Sequence, residues 1–316
     1  MKNENGLQEI IELERTFLNK IKEKKELFNS FNEKEKYSLS VNIVSKIISI
    51  QEDVLNDNSS LIKFYGSLRY ILETLIQTEL LVSEPSYAYK LFYSLYNHQS
   101  EKSKKYIERI EKEISIMKNY ELKDRENSKI ITEGIEAGES IENTKKKHDN
   151  AQKELDDNAD IEYTMFCGNY KWFGYGYTQS ILESKILPEY KNRLELFDNA
   201  KIKIAKEILK NNLICELFDF KNQHTRVFKE LKDIRSWEEK ARVTRLGDEY
   251  KLVYDLSSAI LHSTSYSYGT TVEIPEHEIE MVINLCFKYS KKIMLNINSF
   301  SKMDFYQKFI VINVEA

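Results

Sequence analysis

Near the start of the chain, apolar side chains recur at Leu7, Ile10, Ile11, Leu13, Phe17, Leu18 and Ile21, the three-and-four spacing of one helical face. That spacing predicts a helix over roughly residues 7–29. Val41, Ile43, Val44, Ile47 and Ile48 predict a second over 33–55, and Asn56-Asp57-Asn58-Ser59-Ser60 reads as a loop ending in a helix N-cap. Residues 61–82 are the most apolar stretch, so their helix is expected at the centre of the fold. Ser83-Glu84-Pro85 closes it and opens the next helix, with proline in its first turn. That helix is expected to reach about Tyr120, apolar and aromatic early and charged late.

Residues 121–159 change character. They hold few large apolar side chains and many charges, which reads as a solvated helical arm or a partly disordered connector, a spacer without chemistry of its own. The stretch 167–180 then gathers Tyr170, Trp172, Phe173, Tyr175 and Tyr177 among three glycines, predicting a loop or an interrupted helix. Such rings stack on bases or a planar ligand, or else fill a gap between helices. Helical spacing resumes over 190–220. Gly247 is expected to separate a short helix at 237–246 from a longer one at 248–262. Residues 263–271 read as a Ser/Thr/Tyr-rich loop, and Pro275 opens a last long helix to about Phe300. The tail FIVINVEA reads as a short strand or a helix end. No internal repeat of about 20 to 50 residues is visible.

Composition strengthens this picture. Nine glycines and three prolines in 316 residues are too few to punctuate a β-sandwich or an α/β fold, whereas long helices need little punctuation. The formal net charge of −4 argues against a generally basic nucleic-acid-binding surface and leaves room for a local patch. Cys167, Cys215 and Cys286 are far apart and form no paired spacing, so neither a disulfide framework nor a zinc site is expected. Scattered thiols fit a reducing compartment. The amino terminus alternates charged and apolar residues, without a signal-peptide core, and no apolar run approaches a membrane-spanning length. The expected location is cytoplasmic, with no membrane association.

The strong catalytic signatures are missing: no phosphate-binding glycine loop, no H-E-x-x-H and no G-x-S-x-G occurs. Two polar stripes on otherwise apolar helices remain. Arg69, Glu73 and Gln77 repeat every four residues in the central helix, as do Tyr250, Tyr254, Ser258 and His262 in a later one. Residues four apart share one helical face, so the two stripes can meet. An arginine and a glutamate in so apolar a helix are costly unless paired or open to a cavity. In the functional version His262 is a general acid or base and Arg69 holds an anion. Glu73 orients Arg69, and Tyr254 and Ser258 supply hydrogen bonds. In the other version the same residues are a satisfied polar network that fixes the register of two helices. Tyr250, Trp172 and Tyr175 are the candidate ligand-binding side chains. His98, His148, His224 and His277 have no metal-ligand spacing and are expected at the surface.

The segments S-L-R-Y-I-L-E-T-L at 67–75, W-E-E-K-A-R at 237–242 and Y-K-L-V-Y-D-L-S-S-A-I-L-H at 250–262 together resemble a family of uncharacterised bacterial helical proteins. The pattern is Arg-x-x-x-Glu, a Trp, then Tyr-x-x-x-Tyr-x-x-Ser-x-x-x-x-His, falling here on Arg69, Glu73, Trp237, Tyr250, Tyr254, Ser257 and His262. That family is similar in outline to HEPN-type helical bundles, many of which are RNA-cleaving toxins or antiviral effectors. Their histidine follows an arginine by several positions; here Asp255, Leu256 and Ser257 stand there instead, so Arg69 would have to substitute from another helix.

The expectation is an all-α, multi-helix bundle, a single domain over 1–316 with a charged protruding arm at 121–160. The resemblance implies an effector of toxin or phage-defence type, with a metal-independent ribonuclease-like activity if it is an enzyme. The alternative is a non-catalytic helical module that binds a partner protein or small ligand. The expected partner is RNA or another protein, the assembly a homo-oligomer, and no cofactor or metal is expected.

Overall fold

The computed structural model describes residues 2–27, 31–56, 61–162, 164–168, 170–210, 215, 216, 218, 227–261 and 275–301. Every regular element among them is a helix, as the scarcity of helix breakers predicts. In chain order these are α1 (Lys2–Glu23), α2 (Phe31–Asn56), α3 (Leu61–Ser83), α4 (Tyr87–Glu136), α5 (Ile141–Ile161), α6 (Tyr170–Phe173), α7 (Tyr175–Ile181), α8 (Leu187–Lys210), α9 (Val227–Glu230), α10 (Trp237–Val243), α11 (Gly247–Leu261) and α12 (Glu276–Ser301). A 3₁₀ turn, Lys25–Leu27, follows α1, and a π turn, Leu182–Ile186, joins α7 to α8 without a break. His262, the 263–271 loop, His224 and the FIVINVEA tail lie outside the described residues.

The chain divides into two compact units. The first comprises residues 1–91, 216–219 and 232–316. There α3 packs against α2, α10, α11 and α12, and α1 packs against α2 and α12. Phe64, Leu68, Ile71, Leu72, Leu75 and Ile76 bury one broad face of α3, so the most apolar helix is central, as its composition predicts. Pro85 lies in the turn between α3 and α4, not inside the first turn of α4, and Tyr87 N–H closes that turn on Glu84 C=O at 2.9 Å.

The second unit comprises residues 92–215 and 220–231. Its core gathers Ile110, Met117 and Tyr120 of α4, Leu155 and Ala159 of α5, and Cys167, Tyr175 and Leu182. α4 extends past the expected Tyr120 to Glu136, so residues 121–160 are two helices and their turn. Gly138, at φ +78°, donates to Ile135 C=O at 3.0 Å, and Glu139 N–H reaches Gly134 C=O at 2.9 Å. That is the left-handed helix terminus that glycine favours. Ser140 then caps α5 by accepting from Asn143 N–H at 3.4 Å.

Candidate functional site

The site is assembled from α3, α10 and α11, all in the first unit. On α3, Arg69 and Glu73 stand one turn apart, and Arg69 Nε donates to Glu73 Oε1 at 2.9 Å. Both side chains are about three-quarters buried. The Arg69 guanidinium lies over the Tyr254 ring, 4.7 Å from its centroid, within cation–π range. Tyr250, one turn earlier on α11, is buried, accepts a hydrogen bond from Arg69 and lies 5.7 Å from Tyr254. The α3 and α11 stripes therefore meet.

Trp237, at the start of α10, stacks on Tyr250 at 6.5 Å and 23°. Its position follows from a capping box: Ser236 Oγ accepts from Glu239 N–H at 3.2 Å while Glu239 Oε2 accepts from Ser236 N–H at 2.6 Å. α10 ends at a left-handed residue, Arg245 (φ +60°), with Leu246 N–H reaching Ala241 C=O at 2.8 Å. The break expected at Gly247 thus falls at Arg245, and Gly247 is already the first residue of α11. Lys240 Nζ lies over the Trp237 ring, 5.1 Å from its centroid. The result is a continuous row, Lys240–Trp237–Tyr250–Tyr254–Arg69, with a cation at each end.

Each cation has a carboxylate. Lys240 Nζ lies 3.1 Å from Asp233 Oδ2, and Asp233 also accepts from Arg235 Nε at 2.8 Å. Arg235 grips Glu84 with both terminal nitrogens, at 2.6 and 3.0 Å, and covers the Tyr87 ring at 5.6 Å. Burial works against the Arg69 charge, but the hydrogen bond and charge of Glu73, with Tyr250 and Tyr254, together more than offset it and hold the guanidinium above its ordinary range. Burial, with the Glu73 charge, raises the Tyr250 phenol against the opposing pull of Arg69, so it stays neutral and able to donate. Burial disfavours the Asp233 carboxylate, yet Arg235 and Lys240 leave it below the usual range.

Other candidates lie elsewhere. Ser258 is half-buried and makes none of these contacts among the described residues, while its neighbour Ser257 is buried and donates to Tyr254 C=O at 3.1 Å. Trp172 and Tyr175 belong to the second unit, where Trp172 is 86% exposed. Tyr175 is buried, stacks on Tyr120 at 5.4 Å and donates to Asp156 Oδ1 at 2.8 Å, so it anchors its segment. Phe173 and Tyr177 are exposed with ring centroids 5.7 Å apart. Among the described residues no cluster of His, Cys, Asp or Glu could hold a metal ion.

Sequence reasoning missed the Asp233–Arg235–Lys240–Glu84 network and a second Arg-x-x-x-Glu pair, Arg109 and Glu113. The capping-box signature Ser-Trp-Glu-Glu at 236–239 was the available signal for α10. Glu113 is fully buried, bonds Arg109 Nε at 2.7 Å and accepts from Met165 and Phe166 N–H at 2.6 and 2.8 Å. No protein-family model, curated protein or solved structure matches this chain, so any reading of the site rests on its own geometry.

Proposed function

We propose that the protein is an RNA-acting effector of toxin or phage-defence type, binding a phosphodiester at Arg69 on the aromatic row of α10 and α11. The observation that carries this is the Arg69 guanidinium, fixed by Glu73 at one edge, backed by Tyr254 and still partly solvated. A planar cation so held is preorganised for a phosphate. The exposed part of Tyr254 offers a ring face to an unpaired base. Tyr250, Tyr254 and Ser258 supply hydrogen bonds, and His262, one residue beyond α11 in the chain, supplies the acid–base group. The chemistry is metal-independent transesterification. A ribose 2′-hydroxyl gives up its proton to the base and attacks phosphorus, the bond to the 5′-oxygen breaks, and that oxygen takes up a proton.

Induced expression in a bacterial host, following growth and total RNA, tests this. The wild type should arrest growth and fragment RNA, and His262→Ala and Arg69→Gln, each with unchanged far-UV circular dichroism, should do neither. Normal growth and intact RNA with the wild type would remove the constitutive-nuclease reading.

One observation favours the alternative, a non-catalytic module that binds a partner protein. Trp172, Phe173 and Tyr177 expose large apolar rings on a segment anchored by Tyr175 and by Gly176 N–H on Glu121 at 2.8 Å. Under that reading any growth phenotype survives His262→Ala and is lost in Trp172→Ala.

A further inference from the structure

Glu14 stands in the middle of the buried stripe of α1. Leu7, Ile10 and Ile11 on one side of it and Phe17, Leu18 and Ile21 on the other are buried, and the seven-residue step Leu7, Glu14, Ile21 puts a carboxyl where an apolar side chain is expected. Its partner on α2, Gln51, interrupts the buried series Val44, Ile47, Ile48, Val54 in the same way. Both side chains are fully buried. Gln51 Nε2 donates to Glu14 Oε1 at 3.3 Å. The remaining atom of each group, Glu14 Oε2 and Gln51 Oε1, is buried without a partner.

Two orphaned acceptors in one pair are the signature of a missing proton. A carboxylate only accepts, whereas a carboxylic acid also donates. A proton on Glu14 Oε2 directed at Gln51 Oε1 satisfies both orphans and closes a ring of two hydrogen bonds between acid and amide. The carboxylate would instead leave a buried charge against one weak donor. We propose that Glu14 is built into the fold as a neutral carboxylic acid paired with the Gln51 amide, and that this pair is a pH-responsive brace that loosens α1 from α2 when the proton passes to solvent.

Among the described residues the surroundings supply no compensating charge. Burial raises the Glu14 carboxyl from its ordinary 4.5 to about 8, opposed by the Gln51 hydrogen bond alone. The charged groups that link the two helices stand at the solvent rim, where Arg15 pairs with Glu12 and with Glu52. The 3₁₀ turn after α1 carries Lys25 and Glu26, both exposed. From α12, the buried titratable groups in the same core are Cys286 and Tyr289. Burial pushes both up to about 12, so they remain neutral where Glu14 titrates.

The sign follows from proton counts. Between 4.5 and about 8 the folded chain holds a proton at Glu14 that the unfolded chain has released. The stabilisation is complete below that window. It falls as pH rises through the window, by up to about tenfold in the folding constant per pH unit, and levels off above it. Urea unfolding of the full chain across the window, wild type against Glu14→Gln and Glu14→Leu, should show this slope in the wild type relative to both variants. Amide exchange in α1, compared at equal pH, should speed up in the wild type alone above about pH 8. Parallel profiles in wild type and variants would overturn the proposal. Should the variants fail to fold, carboxyl ¹³C NMR of the wild type decides. One glutamate resonance in the neutral-acid position at neutral pH is expected, and its absence overturns the assignment.

Discussion

At the scale of single residues, Arg69 shows how one side chain can serve packing and binding together. Its guanidinium bonds Glu73 on its own helix and covers Tyr254 on α11. A double-mutant cycle of Arg69→Gln and Tyr254→Leu, measured by urea unfolding, should give a coupling of about 0.5–2 kcal/mol. If the pair only fixes helix register, RNA binding by the purified protein will be unchanged in Arg69→Gln. If it holds phosphate, binding will weaken and its salt dependence flatten. Arg245 is the opposite case, a residue held where glycine belongs. Its φ of +60° at the end of α10 carries a Cβ penalty, so Arg245→Gly should stabilise the protein by about 1 kcal/mol in thermal unfolding. The i, i+4 spacing of Arg69 and Glu73 was legible in the sequence. The left-handed Arg245 was not, because Gly247 two residues later is the stronger local signal and the turn is set by how α11 docks.

At the scale of elements, the α4–α5 hairpin shows why polar composition did not mean an unstructured connector. α5 buries only Thr144, Leu155 and Ala159, too few to stand out among its charges. Close approach does the rest: a Cβ at Gly134 would fall 2.7 Å from Thr144, so glycine there lets α5 lie against α4. Gly134→Val should therefore cost about 1–3 kcal/mol in unfolding free energy, by overpacking. Further along, Glu113 ties the Met165–Phe166 backbone to α4 while Arg109 neutralises it. Burial, with the Glu113 hydrogen bond, raises the neighbouring Cys167 thiol, so it is unreactive in the folded state. Glu113→Ala should cost about 3–5 kcal/mol, removing the buried acceptor of the Met165 and Phe166 N–H groups and of Arg109 Nε, and should make Cys167 label faster with a thiol reagent. The aromatic stretch after it is anchored by Tyr175 and exposes Trp172. Sequence alone could not divide those roles, since both are aromatics among glycines.

At the scale of the whole molecule, stability should fall on both sides of a mildly acidic maximum, for separate reasons. The Glu14 contribution falls between pH 4.5 and about 8 and then levels off, as derived above. On the acid side Asp233 is held below its ordinary range by Arg235 and Lys240 against the cost of burial. Its contribution is present above the ordinary aspartate value and is lost as pH falls through the depressed one. Asp233→Asn should lower stability at neutral pH and flatten the acid limb of a urea-unfolding profile. An unchanged acid limb would show that Asp233 does not titrate there. No described helix is long and apolar enough to cross a membrane.

The sequence by itself determined the helical class, the positions of most helices and the central place of α3. Those follow from local periodicity and from the scarcity of glycine and proline, which act within a few residues of themselves. The division into two compact units, the row from Lys240 to Arg69 and the Glu14–Gln51 pair were decided only by the tertiary structure. The units and the row depend on helices distant in the chain being brought side by side, and the Glu14–Gln51 pair on which faces of the consecutive helices α1 and α2 meet. Glu14 itself is visible as a polar break in an apolar stripe, but whether such a break is a solvated charge or a buried acid depends on what covers it. Burial among apolar side chains beside an uncharged amide is a fact about three dimensions.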